Sequence, residues 1–277
     1  MKHIVKQGES LSKIARNHAL SLTALLAANP RYKADPNRLG VGDELAIPKS
    51  EAGNEINPAV AHETEPKSQD ENNFVVEQGQ LTFDAEGMEK PGKYFSRKLH
   101  VPGAWSGATI GRGYDMRERS ENEVVSDLTS VGVDLVKAQK LAACRGLRGS
   151  KARTFIQENN LADIEISAAE QKALFNLAYQ ELEGDVVRIC SKNDVAVKYG
   201  ITEWDKLHPV IKDIAVDLRY RGDYTGATRE RVQKILVDND PALLKAVLSD
   251  RGYWVGQRNV PVDRFNRRKK YIEKSLG

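Results

Sequence analysis

LTFDAEGMEKPGKYFSRKLHVPGAWSGATIGRGYDM, residues 81–116, decides how the larger part of the chain is read. Glycine, proline and aromatic residues crowd its second half, a pattern that predicts a β-rich or irregular segment near 92–116 rather than a helix. The same stretch isolates Glu86, Thr109 and Asp115. Hydrolysis of a glycosidic bond needs one carboxyl that keeps its proton for the leaving oxygen and a second, ionised one that activates water or stabilises the cationic sugar. Glu86 follows the apolar Leu81–Ala85 stretch, where partial burial is expected to keep its proton available. Asp115 sits in the polar turn TIGRGYDMRE, where Gly111 and Gly113 permit tight backbone geometry and Thr109 offers a hydroxyl to hold a water. A bland reading stands beside this one: a Glu next to Gly is often a solvated turn residue, and an Asp in a Gly-rich turn often caps the next helix. Trp105 and Tyr114 are candidates to stack on sugar faces or, equally, to fill a core.

Beyond residue 116, helix signals dominate. Ser120 with Glu123 and Ser167 with Glu170 are capping-box patterns. Leu174, Leu177 and Ala178, then Ile211, Ile214, Ala215 and Leu218, recur at helical spacing. Further helices are expected near 134–144, 149–159, 227–238, 241–250 and 262–275. The region 73–277 therefore reads as mainly α-helical with a small irregular lobe, a two-lobed shape that leaves a cleft between lobes. Arg264, Arg267, Arg268, Lys269 and Lys270 read either as a solvated last helix whose charges suit its C-terminal dipole or as a polyanion patch.

A Glu followed 23 positions later (109 − 86) by Thr and a further 6 (115 − 109) by Asp, with the block SGATIGRGYD, resembles the pesticin-type lysozymes, bacterial toxin relatives of the phage lysozymes. The likeness runs from about Asn73 to the C-terminus, through LRYRGDYTGATR and RFNRRKKYIEKSL. It implies a lysozyme-like muramidase domain with Glu86 as general acid and Asp115, aided by Thr109, acting on the attacking water. Phage lysozymes carry the order Glu, Asp, Thr; this chain has Glu, Thr, Asp, so the roles of Asp115 and Thr109 rest on the pesticin branch.

Residues 1–48 form a separate unit. Ile4 and Val5 open a strand, Ser10 and Ser21 are positioned to cap two helices, Asn29-Pro30 ends the second, and Glu44–Pro48 closes with a strand. This βααβ order, with QGESLSKIA, LLAANP and LGVGDELAIP as opening, middle and closing motifs, resembles the LysM module, a binder of N-acetylglucosamine-containing glycans. The resemblance implies sugar contacts from Gly8, Glu9, Ser10, Leu11, Asn29, Pro30 and Arg31; as residues, Gly8 and Asn29 equally well shape turns and Leu11 equally well fills a core. Residues 49–72 carry six acids against two lysines, two prolines and almost no large apolar residue, which is a linker composition. The fold class is thus α+β: a small βααβ domain, a tether and a mainly helical domain at 73–277.

Net charge of +3 with interspersed signs does not argue for nucleic acid and is compatible with an anionic wall polymer. No apolar run approaches membrane-spanning length, and MKHIVKQGES lacks the basic and apolar regions of a signal peptide. The expectation is a protein made in the cytoplasm that acts on a target cell's wall. Two routes fit: an effector toxin moved by a type VI-like secretion apparatus, with a cognate immunity protein, or a phage endolysin released at lysis. Cys144 and Cys190, each in apolar helical-looking sequence, read as buried thiols, with one disulfide after export as the alternative. The five histidines show no metal-ligand spacing, which disfavours a zinc amidase, and no cofactor is expected. A noncatalytic wall-binding protein is the rival of another class, since fold does not guarantee function.

Overall fold

The computed structural model describes residues 1–5, 11, 14, 18, 22–32, 39–48, 74–92 and 95–277. By internal contacts the chain divides into Met1–Gln69 and Asp70–Gly277.

In the first unit, strand β1 (Lys2–Ile4) pairs antiparallel with β2 (Glu44–Ala46), with Lys2 opposite Ala46 and Ile4 opposite Glu44. Between them lie helix α1 (Leu22–Ala28) and a 3-10 turn at Pro30–Tyr32. Val5, Leu11, Ile14, Leu25, Tyr32, Leu45 and Ile47 make one core. The capping roles expected of Ser10 and Ser21 lie outside the described residues, as does the linker composition at 49–72.

The second unit is mainly helical. Helix α2 (Gln80–Ala85) leads into a long irregular segment and a two-residue hairpin, β3 (Thr109–Ile110) with β4 (Tyr114–Asp115). Gly111 and Gly113 take positive φ of 63° and 89° in its turn, conformations costly for any residue with a Cβ. The expected lobe near 92–116 is therefore mostly irregular backbone, pinned by single bridges such as His100 to Thr109 and Gly107 to Arg148. The helices follow as α3 (Glu121–Ser130), α4 (Leu135–Ala142), α5 (Gly149–Glu158), α6 (Ala168–Cys190), α7 (Asn193–Tyr199), α8 (Pro209–Arg221), α9 (Gly226–Asp238), α10 (Pro241–Leu248) and α11 (Val262–Leu276). Both capping boxes form at the starts of α3 and α6.

Two apolar clusters divide this unit. One joins the hairpin residues Ile110, Tyr114 and Met116 to α3, α4 and α5. The other joins α8 through α11 around Trp254 and Ile211. Helix α6, 23 residues and hence about 34 Å long, gives Leu174 to the first and Val186 and Ile189 to the second. Phe83 of α2 packs between them against Phe175 and Val216. Cys144 and Cys190 are both free thiols and buried; burial pushes the Cys144 thiol up to about 11. No helix among the described residues is long and apolar enough to cross a membrane.

Candidate active site

Glu86 terminates α2, its N–H bonded to the Thr82 carbonyl at 2.9 Å. Its side chain is 23% exposed, and its Oε1 accepts from Arg264 Nη1 at 2.6 Å. Arg264 belongs to α11, and no local pattern hints at the pairing, since 178 positions separate the two. The guanidinium also donates to the fully buried Asp217, at 2.5 Å to Oδ1 and 3.2 Å to Oδ2. Asp217 in turn accepts from Arg268 Nε at 2.7 Å and from the Thr82 hydroxyl at 2.9 Å, and Arg268 reaches Asp223 at 2.9 Å. Glu86 is thus one end of an alternating chain of buried charges. Burial alone would raise the Asp217 pKa, but Arg268 and Arg264 outweigh it and hold the carboxyl below its usual range. Burial likewise would lower Arg264, and Asp217 and Glu86 reverse the sign and keep it charged.

This arrangement corrects the reading of the C-terminal arginines. Arg264 and Arg268 are 5% and 1% exposed and form neither a solvated face nor a polyanion patch; Arg267 stays on the surface, 49% exposed. A helical-face count could have found them. Arg264, Phe265, Arg268 and Ile272 form one buried stripe on α11, so these arginines share the face of its apolar residues.

Thr109 and Asp115 face each other across the hairpin. Asp115 is partly exposed, and both its oxygens accept backbone N–H groups: Oδ2 from Gly107 at 3.1 Å and Oδ1 from Arg117 at 2.8 Å. A carboxylate offers about four lone-pair sites, so two remain for a water or a sugar hydroxyl. The buried Thr109 hydroxyl donates to the Gly107 carbonyl at 3.1 Å, which leaves its lone pairs as its means of holding a water. Gly107 is the hub of this arrangement. A Cβ there would lie 2.1 Å from Asp115 Oδ1 and 2.6 Å from Arg117 Cβ.

Arg112 ties α2 to the hairpin, and Tyr220 ties α8 to the same turn. Arg112, in the turn, donates to the Phe83 carbonyl at 2.6 Å and to Glu89 at 2.7 Å, and lies 4.0 Å over the Phe83 ring. Tyr220 of α8 donates to the Arg112 carbonyl at 2.6 Å. Burial, then the negative charge of Glu86, pushes its phenol well above the usual range. Tyr220 holds the hairpin to α8 through its turn. Arg112, Tyr220, Arg264 and Asp217 are site residues that sequence reasoning missed.

The aromatic candidates separate. Trp105 is 74% exposed. Tyr114 is 1% exposed, donates to Asp127 at 2.7 Å and lies under the Arg119 guanidinium, so its ring fills the core and is withdrawn from any sugar face. In the first unit, Leu11 is 5% exposed and packs in the core rather than in a glycan groove. Asn29 is also buried; its amide donates to the Leu25 and Ala46 carbonyls and accepts the Ala46 N–H at 2.7 Å, clasping α1 to β2. Its expected sugar contact gives way to this clasp. Pro30 and Arg31 are exposed, with Arg31 donating to the Glu44 carbonyl at 3.0 Å. Gly8, Glu9 and Ser10 lie outside the described residues. Among the described residues, no three His, Cys, Asp or Glu side chains converge as a metal site.

Comparison with known families divides the chain as its contacts do. None of the curated proteins matches it. The LysM domain model matches residues 3–48, which supports peptidoglycan binding by the first unit. Residues 79–269 match the family described as Domain of unknown function (DUF8812), so the chain belongs to that family and carries a LysM domain ahead of it.

Proposed function

We propose that the chain is a peptidoglycan hydrolase, a muramidase that cleaves the β-1,4 bond between N-acetylmuramic acid and N-acetylglucosamine while its LysM domain holds the wall. The observation that supports this most is the different housing of the two carboxyls. Glu86 is half-buried and fixed through Oε1, and Asp115 is partly open with lone pairs to spare. Glu86, through the oxygen not engaged by Arg264, is the general acid. Asp115, oriented by two backbone N–H groups and assisted by Thr109, directs the attacking water. Glycan strands of the wall are the substrate, and an antibacterial effector with a cognate immunity protein is the biological setting this chemistry suits best.

A second reading has its own observation. Asp115 bonded to two backbone amides is also how an aspartate simply organises a turn. In that case the domain is a noncatalytic wall-binding scaffold. Mass spectrometry of purified peptidoglycan digested by wild type and by Glu86→Gln separates the two. The hydrolase reading expects muropeptides ending in reducing N-acetylmuramic acid from the wild type alone, with wall pelleting unchanged in both. Full activity in Glu86→Gln removes Glu86 from the mechanism. No soluble products from either protein, with pelleting intact, favours the scaffold.

A further inference from the structure

Trp105 is a large aromatic side chain of the second unit left 74% exposed on a loop that is otherwise firmly held. Gly149 N–H donates to the Ser106 carbonyl at 2.9 Å, and Gly107 bridges to Arg148. Gly149, at φ 55°, sits so close that a Cβ would lie 2.3 Å from the Ala104 carbonyl oxygen. Arg117 donates to the Trp105 carbonyl. The indole is therefore presented by a firmly held loop, and that loop reaches the Asp115 carboxylate through its backbone, since Gly107 N–H and Arg117 N–H both donate to it.

The surroundings of the ring are cationic. The Arg148 guanidinium lies 5.5 Å from the indole centroid, within cation–π range. Arg148 and Arg153 are exposed, and among the described residues neither forms an ion pair with a carboxylate. Arg153 points along the same loop, with contacts of 3.4 and 3.3 Å to the Val101 and Gly103 carbonyls. Glu118, 82% exposed, is the nearby acid and is paired with Arg117 at 2.9 Å.

The geometry points to a subsite in which Trp105 stacks on a sugar ring and Arg148 recognises a carboxylate carried by that ring, so that the site selects acidic amino sugars over neutral ones. This deepens, and rests on, the reading of the second unit as a glycan-strand hydrolase. An exposed indole supplies a flat apolar face without sequence or charge preference; an adjacent unpaired guanidinium supplies the preference. The peptide-free N-acetylmuramic acid rings of a denuded peptidoglycan strand, whose lactyl carboxylate is free, have both features, whereas a strand of N-acetylglucosamine alone has only the first.

Fluorescence offers a clean test, because the three tryptophans are Trp105, Trp204 and Trp254 and the LysM domain has none. Trp254 is 1% exposed. Full-length Glu86→Gln protein is titrated with a peptide-free tetrasaccharide alternating N-acetylglucosamine and N-acetylmuramic acid, and with a neutral tetrasaccharide of N-acetylglucosamine. The acidic ligand is expected to quench and blue-shift the emission with a half-saturation at least about tenfold lower than the neutral one, about 1.4 kcal/mol of discrimination. Arg148→Ala is expected to close that gap to under about threefold, with Arg148→Lys recovering part of it as a point charge without the planar fork. Trp105→Phe is expected to remove the spectral change. Equal half-saturation for both ligands, a gap that survives Arg148→Ala, or a spectral change that survives Trp105→Phe overturns the subsite. Binding is read on Glu86→Gln and hydrolysis on the wild type, so failure of the subsite and failure of the hydrolase reading are separate results.

Discussion

At the residue scale, Asp217 carries the most consequence per atom. It lies fully buried between two arginines and a threonine hydroxyl, and through Arg264 it fixes Glu86. Replacing it by asparagine removes the charge shared by two buried guanidinium groups and leaves Arg264 with Glu86 alone and Arg268 with Asp223 alone. The expected loss is about 3–5 kcal/mol of stability at neutral pH, read by chemical denaturation with unchanged m. The effect depends on pH in a definite sense. Burial opposes but the arginines win, so the folded pKa lies below the unfolded value of about 3.9. Its contribution is therefore present above that value and disappears as pH falls through the folded pKa. Asp185 has the same sign: burial again opposes, and Arg219 and Arg188 prevail. Wild-type melting temperature is expected to hold between about pH 5 and 7 and to fall below about pH 4. The gap between wild type and Asp217→Asn is expected to narrow over the same acid range, and a gap that stays constant down to pH 2 contradicts the assignment.

At the element scale, the hairpin shows how much of the site was local. Gly111, Gly113, Thr109 and Asp115 lie within seven consecutive positions, so turn chemistry and period-two pairing place Thr109 opposite Asp115 without help from afar. Gly107 is part of the same local logic, as its missing side chain makes room for the Asp115 carboxyl. Gly107→Ala is expected to push that carboxyl off its two N–H donors, lowering turnover by about tenfold to a hundredfold while far-ultraviolet circular dichroism stays native. Undiminished muropeptide release by this variant means the position of Asp115 does not matter to the reaction. The C-terminal helix α11 taught the opposite lesson. Its arginine run looks solvated by composition, and its burial is visible only once Arg264 and Arg268 are placed on the stripe of Phe265 and Ile272. Tyr114 stood open between a sugar face and the core, because an aromatic beside a catalytic candidate reads alike in either place, and its burial decides for the core.

At the scale of the whole molecule, the two units have separate cores, and the proposed function divides between them the holding of the wall and its cleavage. A chain that starts at Phe74 is expected to digest soluble glycan oligomers as the full chain does. It is expected to clear intact walls about a hundredfold less efficiently, because tethering raises local concentration without altering chemistry. Turbidity decrease of whole sacculi against oligomer cleavage measures both arms, and equal loss in the two assays contradicts independent units. The sequence by itself determined the LysM domain, the mainly helical character of the remainder and both capping boxes, because each depends on residues within a few turns of one another. Only the tertiary structure decided that Glu86 is held by Arg264, that Asp217 anchors that pair from α8, and that Tyr220 of α8 holds the Arg112 turn of the hairpin. Those partners lie on different helices far apart in the chain, and a buried charge finds its counter-charge by packing, which no local pattern records.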